Sequence, residues 1–102
     1  MNILIIEDEK LAARRLVSLI NETEKDARII STLHSVEKAI AWFKSNDAPD
    51  LIFLDIQLSD GLCFNIFKET EVHSPVIFTT AYDEYALKAF ELNSVDYLLK
   101  PV

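Results

Sequence analysis

Glycine occurs once in these 102 residues, cysteine once and proline three times. One glycine leaves no material for a glycine-rich phosphate loop. One cysteine excludes an internal disulfide and fits a reducing compartment, so a cytoplasmic protein is expected. No apolar run is long enough to cross a membrane. The opening Met1-Asn2-Ile3-Leu4-Ile5-Ile6 is too short for a signal-peptide core and runs straight into acids. Positive charge is also scarce, with 10 Lys and Arg against 17 Asp and Glu, a net charge of −7. Such a segment repels nucleic acid and anionic lipid. Any DNA contact would have to come from another domain of a longer chain.

Half of the residues are hydrophobic and 26% are charged, the balance of a folded globular domain. The length suits one domain and is too short for two. The central stretch is Leu51-Ile52-Phe53-Leu54-Asp55. Four large apolar residues without alternation predict a strand covered on both faces, and it ends on a carboxylate. Asn2–Ile6 is a second such strand, ending at Glu7, Asp8 and Glu9. Ala12, Leu16, Leu19 and Ile20 then recur at helical spacing, with Arg14, Arg15 and Ser18 opposite. Ala27–Leu33 reads as a more polar strand, nearer an edge. Ser35 is placed to cap a helix with a Val36, Ala39, Ile40, Phe43 stripe, which Asn46–Pro49 ends. Ile56–Gly61 reads as a loop, and Leu62, Ile66 and Phe67 as a short helical face. Ser74-Pro75 opens the strand Val76–Thr80, Tyr82–Asn93 is helical in pattern, and Val95–Leu99 is the last strand. Alternating strands and helices predict an α/β domain with a parallel sheet and right-handed crossovers.

In such a sheet one edge collects all the strand ends, and ligands bind there. Here those ends carry Glu7 and Asp8, Asp55, Thr80 and Lys100. Clustered carboxylates repel one another unless a cation lies between them. Hard oxygens with room for water suit Mg²⁺. An Asp beside such a metal can act as a nucleophile toward phosphorus. A hydroxyl and an ammonium can then hold the phosphoryl oxygens. For Asp55 alone, a turn-starting Asp is the simpler explanation. The combination of all five strand-end residues outweighs it.

This combination resembles a response-regulator receiver domain. Ile6-Glu7-Asp8-Glu9 is similar to that family's acidic pair, Leu54-Asp55-Ile56 to its phosphoacceptor, Thr80-Ala81 to its switch hydroxyl and Lys100-Pro101 to its Lys-Pro motif. Phe78–Ala86 and Ser94–Pro101 resemble the LytTR class, in which a DNA-binding domain follows the receiver. The resemblance implies a doubly wound, flavodoxin-like five-stranded sheet of order 2-1-3-4-5 over residues 1–102. It implies phosphorylation of Asp55 by a sensor histidine kinase. It implies Mg²⁺, with Mn²⁺ as a substitute, on Asp8, Asp55 and the backbone carbonyl of Gln57, with Glu7 acting through water. Thr80 and Lys100 would grip the phosphoryl group, and Tyr97 would change rotamer with Thr80. Lys100-Pro101 is expected to be a cis peptide. Transcription would be controlled through a C-terminal DNA-binding domain outside this segment.

Two departures stand out. The loop after Asp55 lacks the family's Pro, and Gly61 comes early, only six positions on. A fifth helix, which the family carries after the last strand, would begin beyond Val102. The segment is therefore expected to be truncated, and to dimerise or form a higher oligomer through the face that helix would cover. A phosphatase of the haloacid dehalogenase type also uses a strand-end Asp, but needs a second Asp two positions on, where Gln57 stands. A degenerate receiver that only binds protein would not need Glu7, Asp8, Asp55, Thr80 and Lys100 together. The reading is thus a signalling switch and not a turnover enzyme. Glu9 reads as a charge at a helix start, His34 and His73 as surface histidines, Cys63 as a packing residue, and Trp42 as partial cover on the second helix.

Overall fold

Apolar runs that do not alternate are satisfied only when both faces are covered, and the sheet places them at its centre. The computed structural model describes residues 1–80 and strand residues 96–99. The expected helix Tyr82–Asn93 and the Lys100-Pro101 peptide lie outside the described residues. In chain order the elements are β1 (Asn2–Ile6), α1 (Lys10–Thr23), β2 (Arg28–Leu33), α2 (Val36–Ser45), β3 (Leu51–Asp55), β4 (Gln57–Leu58), β5 (Gly61–Leu62), α3 (Phe64–Glu69), β6 (Val76–Thr80) and β7 (Asp96–Leu99). The main sheet runs β2-β1-β3-β6-β7, and every pairing in it is parallel. Setting aside the small β4–β5 pair, that is the doubly wound order expected from the sequence. The polar strand β2 lies at the edge.

Ile3 to Ile6 of β1 are essentially inaccessible. In β3, by contrast, Leu51 and Phe53 are only half-buried, so β1 is the more thoroughly covered strand. The reason lies in the two faces. On one, Leu4, Ile6, Ile52, Leu54, Val76 and Phe78 pack beneath Val36, Ala39, Phe64 and Ile66 of α2 and α3. The Phe78 ring stands 6.1 Å from the rings of both Phe64 and Phe67. On the other face Ile3 and Ile5 meet Ile20, with Leu16, Val17 and Phe53 half-covered around them. Among the described residues that cluster is the smaller of the two.

Helix α1 corrects one expectation. Its buried residues are Ala13 and Ile20, whereas Leu19 is 40% exposed. Ile20 is the one that packs on Ile3 and Ile5, and Leu19, about 100° further round the helix, is left at the margin of the apolar stripe. Helix α2 begins as expected, with the Ser35 hydroxyl accepting the Lys38 N–H at 3.1 Å. Trp42 is half-buried and meets Phe43 edge-on at 5.4 Å. Cys63 is buried. His73 is exposed and lies 3.1 Å from Glu71.

The stretch read as a loop after Asp55 is a hairpin. Gln57 pairs antiparallel with Leu62, and Leu58 with Gly61. Ser59 and Asp60 form the two-residue turn between them. Leu62 therefore belongs to a strand, and α3 starts at Phe64. Gly61 has φ +145°, a conformation open in practice only to glycine.

Candidate metal centre

Parallel strands end at a common edge, which brings Glu7 and Asp8, just after β1, next to Asp55 at the end of β3. Ligand oxygens of these three residues all lie within 4.8 Å of one another. Glu7 and Asp55 are buried and Asp8 is half-buried. At an effective dielectric constant near 20, two carboxylates at this separation repel by about 3 kcal/mol. A divalent cation reverses the sign of that interaction. Six oxygens around Mg²⁺ stand about 3.0 Å from their neighbours and about 4.2 Å from the opposite ligand, at metal–oxygen distances near 2.1 Å. The three carboxylates converge within 4.8 Å of one another, and their hard oxygens suit the ion.

The backbone holds the acids in place. The Glu7 N–H donates to the Leu33 carbonyl at 2.8 Å, extending the β1–β2 ladder by one residue. The Glu7 carbonyl accepts a hydrogen bond from His34 Nδ1 at 2.8 Å. A Glu7 carboxylate oxygen accepts the Glu9 N–H at 3.1 Å, where the chain turns into α1. Glu9 is the N-terminal flanking residue of α1, as read from the sequence. The Gln57 N–H lies 3.3 Å from an Asp55 carboxylate oxygen.

Thr80 ends β6 with no accessible surface. The pairing of Thr80 with Leu99 puts Lys100 one residue beyond Thr80's neighbour in the sequence. Lys100 itself lies outside the described residues, as does the side chain of Tyr97. The Tyr97 backbone pairs with Phe78, two positions before Thr80.

Three residues near the site were not singled out for it by sequence. Thr79 is in register with Asp55 and its carbonyl accepts the Ile56 N–H at 3.1 Å. Only strand register could have revealed it. His34 is half-buried against Glu7, not a free surface residue. Asp60, at the hairpin tip, accepts N–H groups of α2. An open groove of about 720 Å³, lined by Glu7 and Thr79 and by Ala12, Leu16 and Leu19 of α1, leads away from the acids.

Residues 3–102 match the family described as the response regulator receiver domain. The chain belongs to the response-regulator receiver family. The receiver is 43% identical over 104 residues to the sensory transduction protein LytT of Bacillus anthracis, covering 99% of this chain and 42% of that protein. It is 44% identical over 108 residues to LytR of Streptococcus mutans, covering 99% of this chain and 43% of that one. The chain thus spans less than half the length of these relatives. The response regulatory domain of mrkE from Klebsiella pneumoniae superposes with a TM-score of 0.84 at 36% identity, over 100% of this chain and 84% of that one. The fold and the resemblance to LytTR-class receivers read from the sequence are both borne out. The receiver is a module of two-component signalling, and among its described residues no helix is long and apolar enough to cross a membrane.

Proposed function

We propose that this receiver is a phosphorylation switch in which Asp55 accepts a phosphoryl group from a sensor histidine kinase. One observation carries the proposal: three carboxylates, two of them buried, converge within 4.8 Å at the sheet edge. Asp8, Asp55 and the Gln57 carbonyl would hold Mg²⁺, or Mn²⁺ in its place, with Glu7 reaching it through water. The bound ion would screen the charge on the carboxylates and on the incoming phosphoryl oxygens. The Asp55 oxygen forms a bond to phosphorus while the bond from phosphorus to the donor atom breaks, leaving an acyl phosphate on the chain. Burial of Asp55 slows access of bulk water to the product.

Thr80 and Lys100 would bind the new phosphoryl oxygens by a hydroxyl and an ammonium. Drawing Thr80 toward Asp55 would shift the end of β6, and Tyr97 on the adjoining strand would change rotamer with it. That face then controls self-association. In a LytT-like protein it would control transcription through a LytTR-type DNA-binding domain beyond this segment. Residues 1–102 are read as the receiver unit of such a protein, at work in the cytoplasm.

The test is a Mg²⁺ titration of the wild type, Asp8→Asn and Asp55→Asn, with intact mass after exposure to acetyl phosphate. The wild type should gain one phosphoryl group only with Mg²⁺. Asp55→Asn should gain none. Asp8→Asn should bind the metal more weakly and react more slowly. An equal gain in Asp55→Asn would reject the assignment.

A further inference from the structure

Asp60 stands at the tip of the β4–β5 hairpin, yet its carboxylate is spent on another element. One oxygen accepts the Val36 N–H at 2.8 Å and the other the Glu37 N–H at 3.0 Å. These are among the first donors of α2, which have no partner inside the helix. Ser35 satisfies the Lys38 N–H, and Ala39 N–H makes the first regular bond, to the Ser35 carbonyl at 3.1 Å. The start of α2 is therefore capped by two residues, one local and one more than twenty positions away in sequence. A carboxylate also complements the positive end of the helix dipole.

The consequence falls on the hairpin. Between Asp55 and Asp60 the chain is held at the strand end, by the Gln57 N–H against the Asp55 carboxylate, and by the buried side chain of Leu58. Its return strand is tied down by the Cys63 N–H, which donates to the Ile56 carbonyl at 2.7 Å. Gly61 supplies the positive φ that lets the chain turn back. The tip alone has no packing of its own, since Ser59 and Asp60 are exposed. Asp60 supplies that missing anchor.

We infer that Asp60 is a positioning residue for the metal centre: its carboxylate, bound across two N–H groups of α2, fixes the hairpin that carries Gln57. This rests on the proposed role of the Gln57 carbonyl as a ligand. Asp60 lies at the opposite end of β4 from the ion and would act through the backbone between them. Coupling of this kind also makes any displacement of the start of α2 felt at the Gln57 backbone.

Asp60→Ala, Asp60→Asn and Ser35→Ala separate positioning from plain helix capping, because Ser35→Ala weakens the same helix start without touching the hairpin. Mg²⁺ alone is titrated into each, and hydrogen exchange of the residue 57–62 amides is followed without metal. Asp60→Ala should raise the Mg²⁺ dissociation constant severalfold, at most the roughly tenfold that loss of a direct outer-shell partner costs, while Ser35→Ala stays within about twofold. Hairpin exchange should quicken in Asp60→Ala and not in Ser35→Ala. Asp60→Asn, which keeps one accepting oxygen, should fall between. Unchanged affinity and exchange in Asp60→Ala, or equal changes in Ser35→Ala, would overturn the inference. A wild type that bound no Mg²⁺ would overturn the reading of the metal centre instead, and hairpin exchange would still decide whether Asp60 is the tether.

Discussion

The His34 ring donates a hydrogen bond from Nδ1 to the backbone carbonyl of Glu7 over 2.8 Å. A carbonyl can only accept, so Nδ1 carries the proton whenever the ring is neutral. The bond joins the residue after β2 to the first acid of the metal centre. It adds a side-chain clamp where the β1–β2 ladder ends. The neutral ring should therefore appear as the Nδ1–H tautomer in ring nitrogen spectra, and an Nε2–H tautomer would contradict the geometry. His34→Ala should cost about 1 kcal/mol in urea unfolding, the usual net value of one hydrogen bond.

Asp60 should give the fold an acid-sensitive element. Partial burial pushes its pKa up, but the N–H groups of Val36 and Glu37, with its own backbone N–H, outweigh that and hold it below the ordinary 3.8. A carboxylate whose pKa is lowered on folding contributes stability above its unfolded value and loses it as pH falls through the folded one. The contribution should be complete at neutral pH and fade below about pH 4. Because Asp60 is exposed, solvent screens the effect and it should be small. Urea midpoints from neutral to acid pH should converge for wild type and Asp60→Asn on the acid side. Parallel curves would show that the carboxylate charge plays no part.

Gly61→Ala tests the hairpin backbone. A Cβ there would meet Asn65 Nδ2 at 3.3 Å, and that side chain is flexible enough to yield. The φ of +145° is the larger obstacle. Holding a non-glycine residue there should cost about 1–3 kcal/mol. A substitution without effect on unfolding would mean that the turn rearranges freely.

Phe78 tests the main core. It is fully buried in the larger cluster, beside Phe64 and Phe67 of α3. Phe78→Ala should cost about 3–5 kcal/mol, most of a small domain's stability. Phe53→Ala, on the thinner face where Phe53 is half-buried, should cost clearly less. Equal losses would contradict the asymmetry of the two clusters.

The strands were legible because continuous apolar runs such as Ile3–Ile6 and Val76–Phe78 have few other ways to be buried. That the carboxylates of Glu7, Asp8 and Asp55 meet was legible too, since parallel strands share one edge. The β4–β5 pair was not legible, because two-residue strands show no period. Asp60-Gly61 resembles a turn centre, yet the turn is Ser59-Asp60 and Gly61 begins the return strand. Leu19 was misassigned because Leu19 and Ile20 are both apolar, and only packing against Ile3 and Ile5 selects between them. Asp60 and His34 were missed for one reason: each acts on backbone groups more than twenty residues away, which no local pattern encodes.

The central claim is that Asp55 is the residue that becomes phosphorylated. The most direct measurement is reduction of the acetyl phosphate-treated protein with borohydride, which converts an aspartyl phosphate to homoserine, followed by peptide mapping. With Mg²⁺ present, homoserine should be found at position 55 and at no other Asp, and it should vanish when the metal is chelated before treatment. Homoserine at Asp8 or another aspartate, or none at position 55 despite Mg²⁺, would contradict the account.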